Sequence, residues 1–255
     1  MRIAAKFMTA LVSAGTVAIM AAGPVAAAPD TGSGSAVVPA GTTIEPPIDC
    51  TPDSAHPRPV VVLPGGDGTT AETTTQWNTL LSTVRAAGHC AFLFQGGVIN
   101  GSRWTGDIPS AAQQVADFVT KVRQTTGADQ VDIIAHSAGT IVANYFLKVL
   151  DGAPVVAHAV FLTPDKANLV QMLPSSPVYQ AVFNGPITQP GVRYSVLSTR
   201  NDELATPATV CTNLTEPGVN MNFYEDLFPG TTPVGHSSLR SSSDTANWVA
   251  QQLQP

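Results

Sequence analysis

Charge is scarce in this chain. Only 12% of its 255 residues are Asp, Glu, Lys or Arg, and 12 cations against 18 carboxylates leave a formal net charge of -6. No run of Lys or Arg exists to neutralise phosphates, so no nucleic-acid partner is expected. Cysteine is nearly as rare: Cys50, Cys90 and Cys211 allow one disulfide and leave one thiol over. No two histidines stand at ligand spacing and the cysteines do not cluster, so neither a metal nor another cofactor is expected. The Gly-rich stretch Gly65-Gly66-Asp67-Gly68 lacks the Gly-Lys-Ser/Thr of a phosphate loop and the full spacing of a dinucleotide fingerprint, which argues against nucleotide binding.

What is abundant is apolar: 44% of the chain is hydrophobic, enough for one substantial core. Residues 1–27 read as an export signal. Arg2 and Lys6 precede an apolar stretch from Phe7 to Met20, and Ala26-Ala27-Ala28 supply small residues for cleavage after Ala27. The alternative, a membrane anchor, is disfavoured because Gly15, Gly23 and Pro24 interrupt the run. A secreted, extracellular protein without stable membrane insertion is therefore expected, in an oxidising compartment. Residues 28–47, rich in Gly and Pro, read as a flexible leader, and residues 48–255 as a single domain and a monomer.

The chain is organised around residues 131–149, VDIIAHSAGTIVANYFLKV. Val131, Ile133 and Ile134 read as a buried strand, while Ile141, Val142, Tyr145, Phe146 and Val149 recur at helical spacing. Between them, Ala135-His136-Ser137-Ala138-Gly139 has the form small-x-Ser-x-small of a nucleophile elbow. A serine on so tight a turn needs small residues two before and two after it. The turn lifts the Ser137 hydroxyl above the sheet and aims a helix N-terminus at it, where amides stabilise an oxyanion.

Around this stretch, strands and helices alternate. Val60 to Leu63 reads as a buried strand that empties into the Gly-rich loop; Trp77, Leu80, Leu81 and Val84 have helical spacing; Ala91 to Phe94 is a strand; residues 109–126 form a helix stopped by Gly127. Further strands are expected at Val155 to Leu162 and Tyr194 to Leu197, with a helix around Trp248. The alternation implies an α/β fold with a mainly parallel central sheet and helices on both faces. In such a hydrolase, an amide of the loop after the first long strand joins the amide following the nucleophile, here Gly66 and Ala138, as the oxyanion hole.

A serine hydroxyl needs a base, and histidine suits the task. Of five histidines, His56 lies in a Pro-rich segment, His89 ends a helix, His136 fills the slot beside the nucleophile, and His158 sits within an expected strand as a packed core residue. His236, in a loop before the last helix, remains. The chain order Ser, acid, His then restricts the acid to residues between 137 and 236. Asp202 directly follows the strand ending at Leu197, and Asp165 ends the preceding strand as runner-up. The bland reading of Asp202 is a solvated turn carboxylate.

The segments VVLPGGDGTT, QWNTLLSTVRAAGHC, VDIIAHSAGTIVANYF, FLTPD, LSTRNDELATP and PVGHSSL together resemble the secreted α/β-hydrolase lipases and esterases, especially fungal lipase B and its actinobacterial class 2 relatives. The resemblance runs from about Cys50 to His236. It implies the α/β-hydrolase fold, a triad of Ser137, Asp202 and His236, a Cys50–Cys90 disulfide worth about 4 kcal/mol, and a supporting role for Asp165. Gly66 stands where lipase B has a threonine, so it offers only its amide, unless another donor such as Thr69 contributes. Relatives often carry a second disulfide near the C-terminus, but Phe228 occupies the expected position and Cys211 is left unpaired.

The resulting expectation is a serine hydrolase that cleaves carboxylic esters, acylglycerols or similar lipid esters, through an acyl-enzyme, possible substrates lying at an oil–water interface. A polyester or cutin depolymerase on the same triad, and a catalytically silent secreted binding protein, are the alternatives. Residues 168–191, with Leu169, Met172, Val178 and Phe183, are apolar enough either to cap an acyl pocket or simply to cover the sheet.

Overall fold

The computed structural model describes residues 38–164 and 175–254. In chain order the strands are β1 (Thr42–Ile44), β2 (Val60–Leu63), β3 (Ala91–Leu93), β4 (Gln95–Val98), β5 (Val131–His136), β6 (Val156–Leu162), β7 (Arg193–Ser198) and β8 (Val219–Phe223). The helices are α1 (Thr73–Ala86), α2 (Ile108–Thr126), α3 (Ala138–Val149), α4 (Pro177–Phe183), α5 (Ala208–Cys211), α6 (Tyr224–Leu227), α7 (His236–Leu239) and α8 (Ser243–Gln252).

Six strands form one sheet in the order β3-β2-β5-β6-β7-β8, every neighbouring pair parallel. A parallel sheet must be covered on both faces, and the alternation of side chains along each strand shows how. Val61, Leu63, Ile133, Ala135 and Phe161 point into a core with Phe118, Val119, Ile141 and Val142 of α2 and α3. Val60, Val62, Ile134, Val160 and Leu162 point the other way, against Trp77, Leu80 and Val84 of α1 and Trp248 and Val249 of α8. One sheet therefore separates two cores, which is why its central strands read as unbroken apolar runs.

Local chemistry sets the helix ends. Asp107 caps α2 by accepting from Ser110 N at 2.9 Å, and Gly127 closes that helix with a φ of 73°, a left-handed value that a Cβ would penalise. Ser176 caps α4 by accepting from Tyr179 N at 3.0 Å.

Some expectations change. The compact body begins at Val38 rather than Ile48. Within the supposed leader, β1 pairs antiparallel with β4, and Pro39 O accepts from Asp107 N at 2.8 Å; these backbone bonds order a stretch whose side chains stay mostly exposed. Strands β4 and β8 carry Gln95-Gly96-Gly97 and Asn220-Met221-Asn222, too few apolar residues to stand out in the sequence. The expected export signal and residues 168–174 of the possible cap lie outside the described residues. The rest of that stretch packs down: Val178 and Ile187 join the α2–α3 core, and Lys148 Nζ donates to Val182 O and Asn184 O, both at 2.9 Å. Residues 177–187 thus cover α3.

Candidate active site

Gly66, Ser137, Ala138 and Asp202 all follow the carboxyl ends of parallel strands, where open α/β sheets bind ligands. The register aligns Leu63 of β2 with Ala135 of β5 and Phe161 of β6, so the loops after β2 and β5 emerge side by side. Asp202 follows β7 at the same edge.

Ser137 sits between β5 and α3 with φ 49° and ψ -125°, strained for a residue bearing a Cβ. Such a turn survives only where the neighbours are small. At Gly139 an added Cβ would fall 2.5 Å from Leu63 O and 2.6 Å from Pro64 O, both backbone atoms that cannot move aside. Ala138 opens α3, so its amide is among those a helix leaves without an internal partner. A Cβ on Gly66 would touch the Ala138 methyl at 3.4 Å, which puts the loop after β2 against the start of α3.

His236 is completely buried, and its Nδ1 lies 2.7 Å from Asp202 Oδ2. Asp202 is no solvated turn carboxylate: it is buried, and its second oxygen accepts from Leu204 N at 2.9 Å and Ala205 N at 2.7 Å. Burial alone would push its carboxyl up, but His236 and the two amides outweigh this and hold it below the ordinary range. The carboxylate is therefore ionised and fixes the imidazole with Nδ1–H toward it, leaving Nε2 as the acceptor. Nε2 is buried and without a hydrogen-bond partner among the described residues. The structure thus joins His236 to Asp202 and sets Ser137 at the same sheet edge, but closes no Ser137–His236 hydrogen bond.

Asp165 lies outside the described residues. Thr69 is not a spare oxyanion donor: its amide and hydroxyl both donate to Glu72 Oε2, at 2.7 and 3.0 Å, which holds the entry to α1. His236 begins a short helix instead of lying in a loop, with Ser238 Oγ accepting from Gly235 N at 2.8 Å. Cys50 and Cys90 form the expected disulfide, with 5.8 Å between Cα atoms, and Cys211 is a free thiol whose Sγ lies 3.2 Å from Thr206 O.

Reading the sequence missed Arg103. Its buried guanidinium donates to Gly65 O at 2.8 Å, Thr69 O at 2.7 Å, Gln76 Oε1 at 3.3 Å, and also to Asp67 O and the Thr73 hydroxyl. One cation thereby binds three carbonyls of the Gly-rich loop, those of Gly65, Asp67 and Thr69. The only available signal was an arginine in a chain poor in cations, set between Ser102 and Trp104.

Comparison with known proteins agrees with this fold. The family model for class 2 lipases matches residues 57–160, a span that holds Gly66, Ser137 and Ala138 but neither Asp202 nor His236. Among solved structures, the mature lipase BlEst2 of Bacillus licheniformis is similar, with a TM-score of 0.58, 15% identity and coverage of 85% of this chain and 99% of that one. Lipase B of Aspergillus fumigatus gives 0.55 and 13% over 75% of this chain and 52% of its own, so this chain spans about half its length. An α/β serine hydrolase homologue from Coxiella burnetii gives 0.50 and 12%, covering 83% and 88%. At such identities the shared feature is the fold. The chain has the α/β-hydrolase fold, and its residues 57–160 are similar to the class 2 lipases.

Proposed function

We propose that this protein is a carboxylic ester hydrolase, a serine enzyme that cleaves lipid esters with Ser137, His236 and Asp202, a reading supported by the class 2 lipase match over residues 57–160. His236 Nε2 takes the proton of Ser137 as its Oγ attacks the ester carbonyl carbon. The amides of Gly66 and Ala138 receive the negative charge that develops on the carbonyl oxygen. As the tetrahedral intermediate collapses, the C–O bond to the alcohol breaks, and the imidazolium returns its proton to the departing alkoxide. Water, deprotonated by His236, then attacks the acyl-enzyme; the second collapse releases the carboxylic acid and restores Ser137.

One observation carries this reading: a fully buried histidine, tied through Nδ1 to an ionised aspartate, keeps Nε2 unpaired at the sheet edge that bears a strained serine. The lack of a Ser137–His236 hydrogen bond is compatible with catalysis, because such bonds often form or tighten only when substrate binds. A site outside the cytoplasm is part of the proposal, supported by the Cys50–Cys90 disulfide. Among the described residues no helix is long and apolar enough to cross a membrane.

The test is hydrolysis of p-nitrophenyl esters from acetate to palmitate by the mature chain and its Ser137→Ala variant. Turnover of long-chain esters that vanishes in the variant is expected. Turnover of acetate but not of palmitate would overturn the lipid-ester assignment, and undiminished activity in Ser137→Ala would overturn the nucleophile.

A further inference from the structure

His236 is gripped by more than Asp202. Its amide donates to Glu203 Oε2 at 3.0 Å, and its carbonyl accepts from His136 Nε2 at 3.0 Å. Since a carbonyl only accepts, His136 carries its proton on Nε2. The imidazole of His136 is completely buried, edge-on to Trp77, with its centroid 5.0 Å from that of His236. It is thus wedged between the nucleophile turn, of which it is the preceding residue, and the backbone of the histidine turn.

The other half of the grip comes from the Gly-rich loop. Asp67 Oδ2 accepts from Ser237 Oγ at 2.6 Å and from Arg240 Nη1, and Arg240 Nη1 also donates to Ser237 O at 2.7 Å. Asp67 Oδ1 faces His136 Nδ1 at 3.8 Å, too far for a hydrogen bond. Asp67 directly follows Gly66, so the side chain that holds the residue after His236 stands beside the proposed oxyanion amide. At Gly65 a Cβ would strike Asp67 Oδ1 and His136 Nδ1, both at 2.5 Å, so a glycine is what lets these groups close up.

We propose that His136 and Asp67 are positioning residues that lock the turn of His236 to the loop of Gly66, setting the base and the oxyanion donor as one unit. The proposal rests on His236 being the base. His136 acts through the His236 carbonyl, and Asp67 acts through Ser237 and Arg240. Neither touches the reacting atoms.

The charges facing His236 are Asp202 from the loop after β7, Asp67 from the loop after β2, Arg240 just beyond α7, and Glu203 at its amide; His136 faces it from β5. Burial holds His136 neutral, its pKa pushed down to about 3 despite the attraction of Asp67. Asp67 remains ionised: burial raises its pKa, but the hydrogen bond from Ser237 and the charge of Arg240 hold it down. Its negative charge therefore stabilises the imidazolium that forms at His236.

Three variants test this with the full chain and a soluble p-nitrophenyl ester. His136→Leu removes the donor to the carbonyl and should lower kcat roughly tenfold or more with KM within about twofold, since misplacing a group costs rate more than binding. His136→Gln restores an N–H at a similar reach and should recover most of kcat. Asp67→Asn should move the acidic limb of the kcat/KM profile to lower pH, because the imidazolium loses a nearby anion while Arg240 loses its partner. A folded His136→Leu enzyme with unchanged kcat would overturn the role of His136. An unmoved acidic limb in Asp67→Asn would overturn that of Asp67, and decides the proposal should His136→Leu not fold. Failure of the underlying reading is separately visible, as undiminished activity in His236→Ala.

Discussion

The two ends of the same sheet each hold a buried histidine, and the contrast between them explains why only one is suited to catalysis. At the amino end, His158 Nδ1 accepts from Arg193 Nη2 at 3.0 Å, so Nε2 must carry the proton, and it donates to Ser195 Oγ at 3.0 Å. Ser195 in turn donates to Gln252 Oε1 at 3.0 Å. This serine and histidine touch, yet the histidine has no lone pair left to take a proton, and the cation at Nδ1 opposes an imidazolium. At the carboxyl end, an anion occupies Nδ1 of His236 and Nε2 is vacant. Proximity of Ser and His is therefore less diagnostic than the charge on the far nitrogen and the valence left on the near one.

Serine removal gives the largest expected contrast. Ser137→Ala should cut kcat on p-nitrophenyl esters by about 10⁶-fold, in the range of a lost triad nucleophile, whereas Ser195→Ala should leave kcat within about twofold, as expected for a group remote from the chemistry. Equal losses, in parallel assays of the purified variants, would break the comparison. Next comes Asp202→Asn, which keeps the shape but lets the imidazole adopt the wrong tautomer and lose its anion. A fall in kcat of about 10⁴-fold is expected, with unchanged circular dichroism.

The amino end should reveal itself through stability instead. Asp132 there accepts from Arg58 Nε at 2.9 Å, yet burial pushes its pKa up to about 6 against the pull of Arg58. Its folded pKa exceeds its unfolded one, so its contribution to stability is full below about pH 4 and is lost as pH rises through about 6. His158, pushed down to about 3 by burial and then by Arg193 and Arg58, contributes with the opposite sign: its share is present above about pH 6.5 and lost on acidification. The two slopes oppose each other between pH 4 and 6. Asp132→Asn should unmask the histidine, so that the variant loses about 2 kcal/mol more than the parent between pH 7 and pH 4. Urea unfolding at each pH measures this, and parallel curves would refute it.

The smallest effect concerns the backbone. Gly139→Ala would press a methyl onto Leu63 O and Pro64 O and should cost about 1–3 kcal/mol in thermal unfolding, as overpacking does. Gly127→Ala, where nothing lies within 4 Å and only the left-handed φ of 73° is at stake, should cost about 1 kcal/mol. A larger loss at Gly127 would mean that the tight elbow has slack.

Much of this site could be read from the chain. Ser137 stood out because a strand, a tight turn and a helix adjoin in sequence, each with its own periodicity. Asp202 and His236 were reachable through chain order and strand ends, although the helical start at His236 was not, since a four-residue helix has no period to detect. Arg103 and Asp67 were invisible as participants because their partners lie 27 or more residues away. Strands β1, β4 and β8 escaped for a related reason: their pairing rests on backbone hydrogen bonds, which leave little trace in side-chain pattern.

By itself, then, the sequence determined the α/β alternation, the two-faced burial of the central strands and the tight strand-to-helix turn at Ser137, because these depend on neighbours within one or two turns of chain. Tertiary structure alone decided which histidine keeps a free Nε2 and which is saturated. That choice depends on whether an aspartate or an arginine reaches Nδ1 from another strand, and such charges are brought together only when the sheet closes.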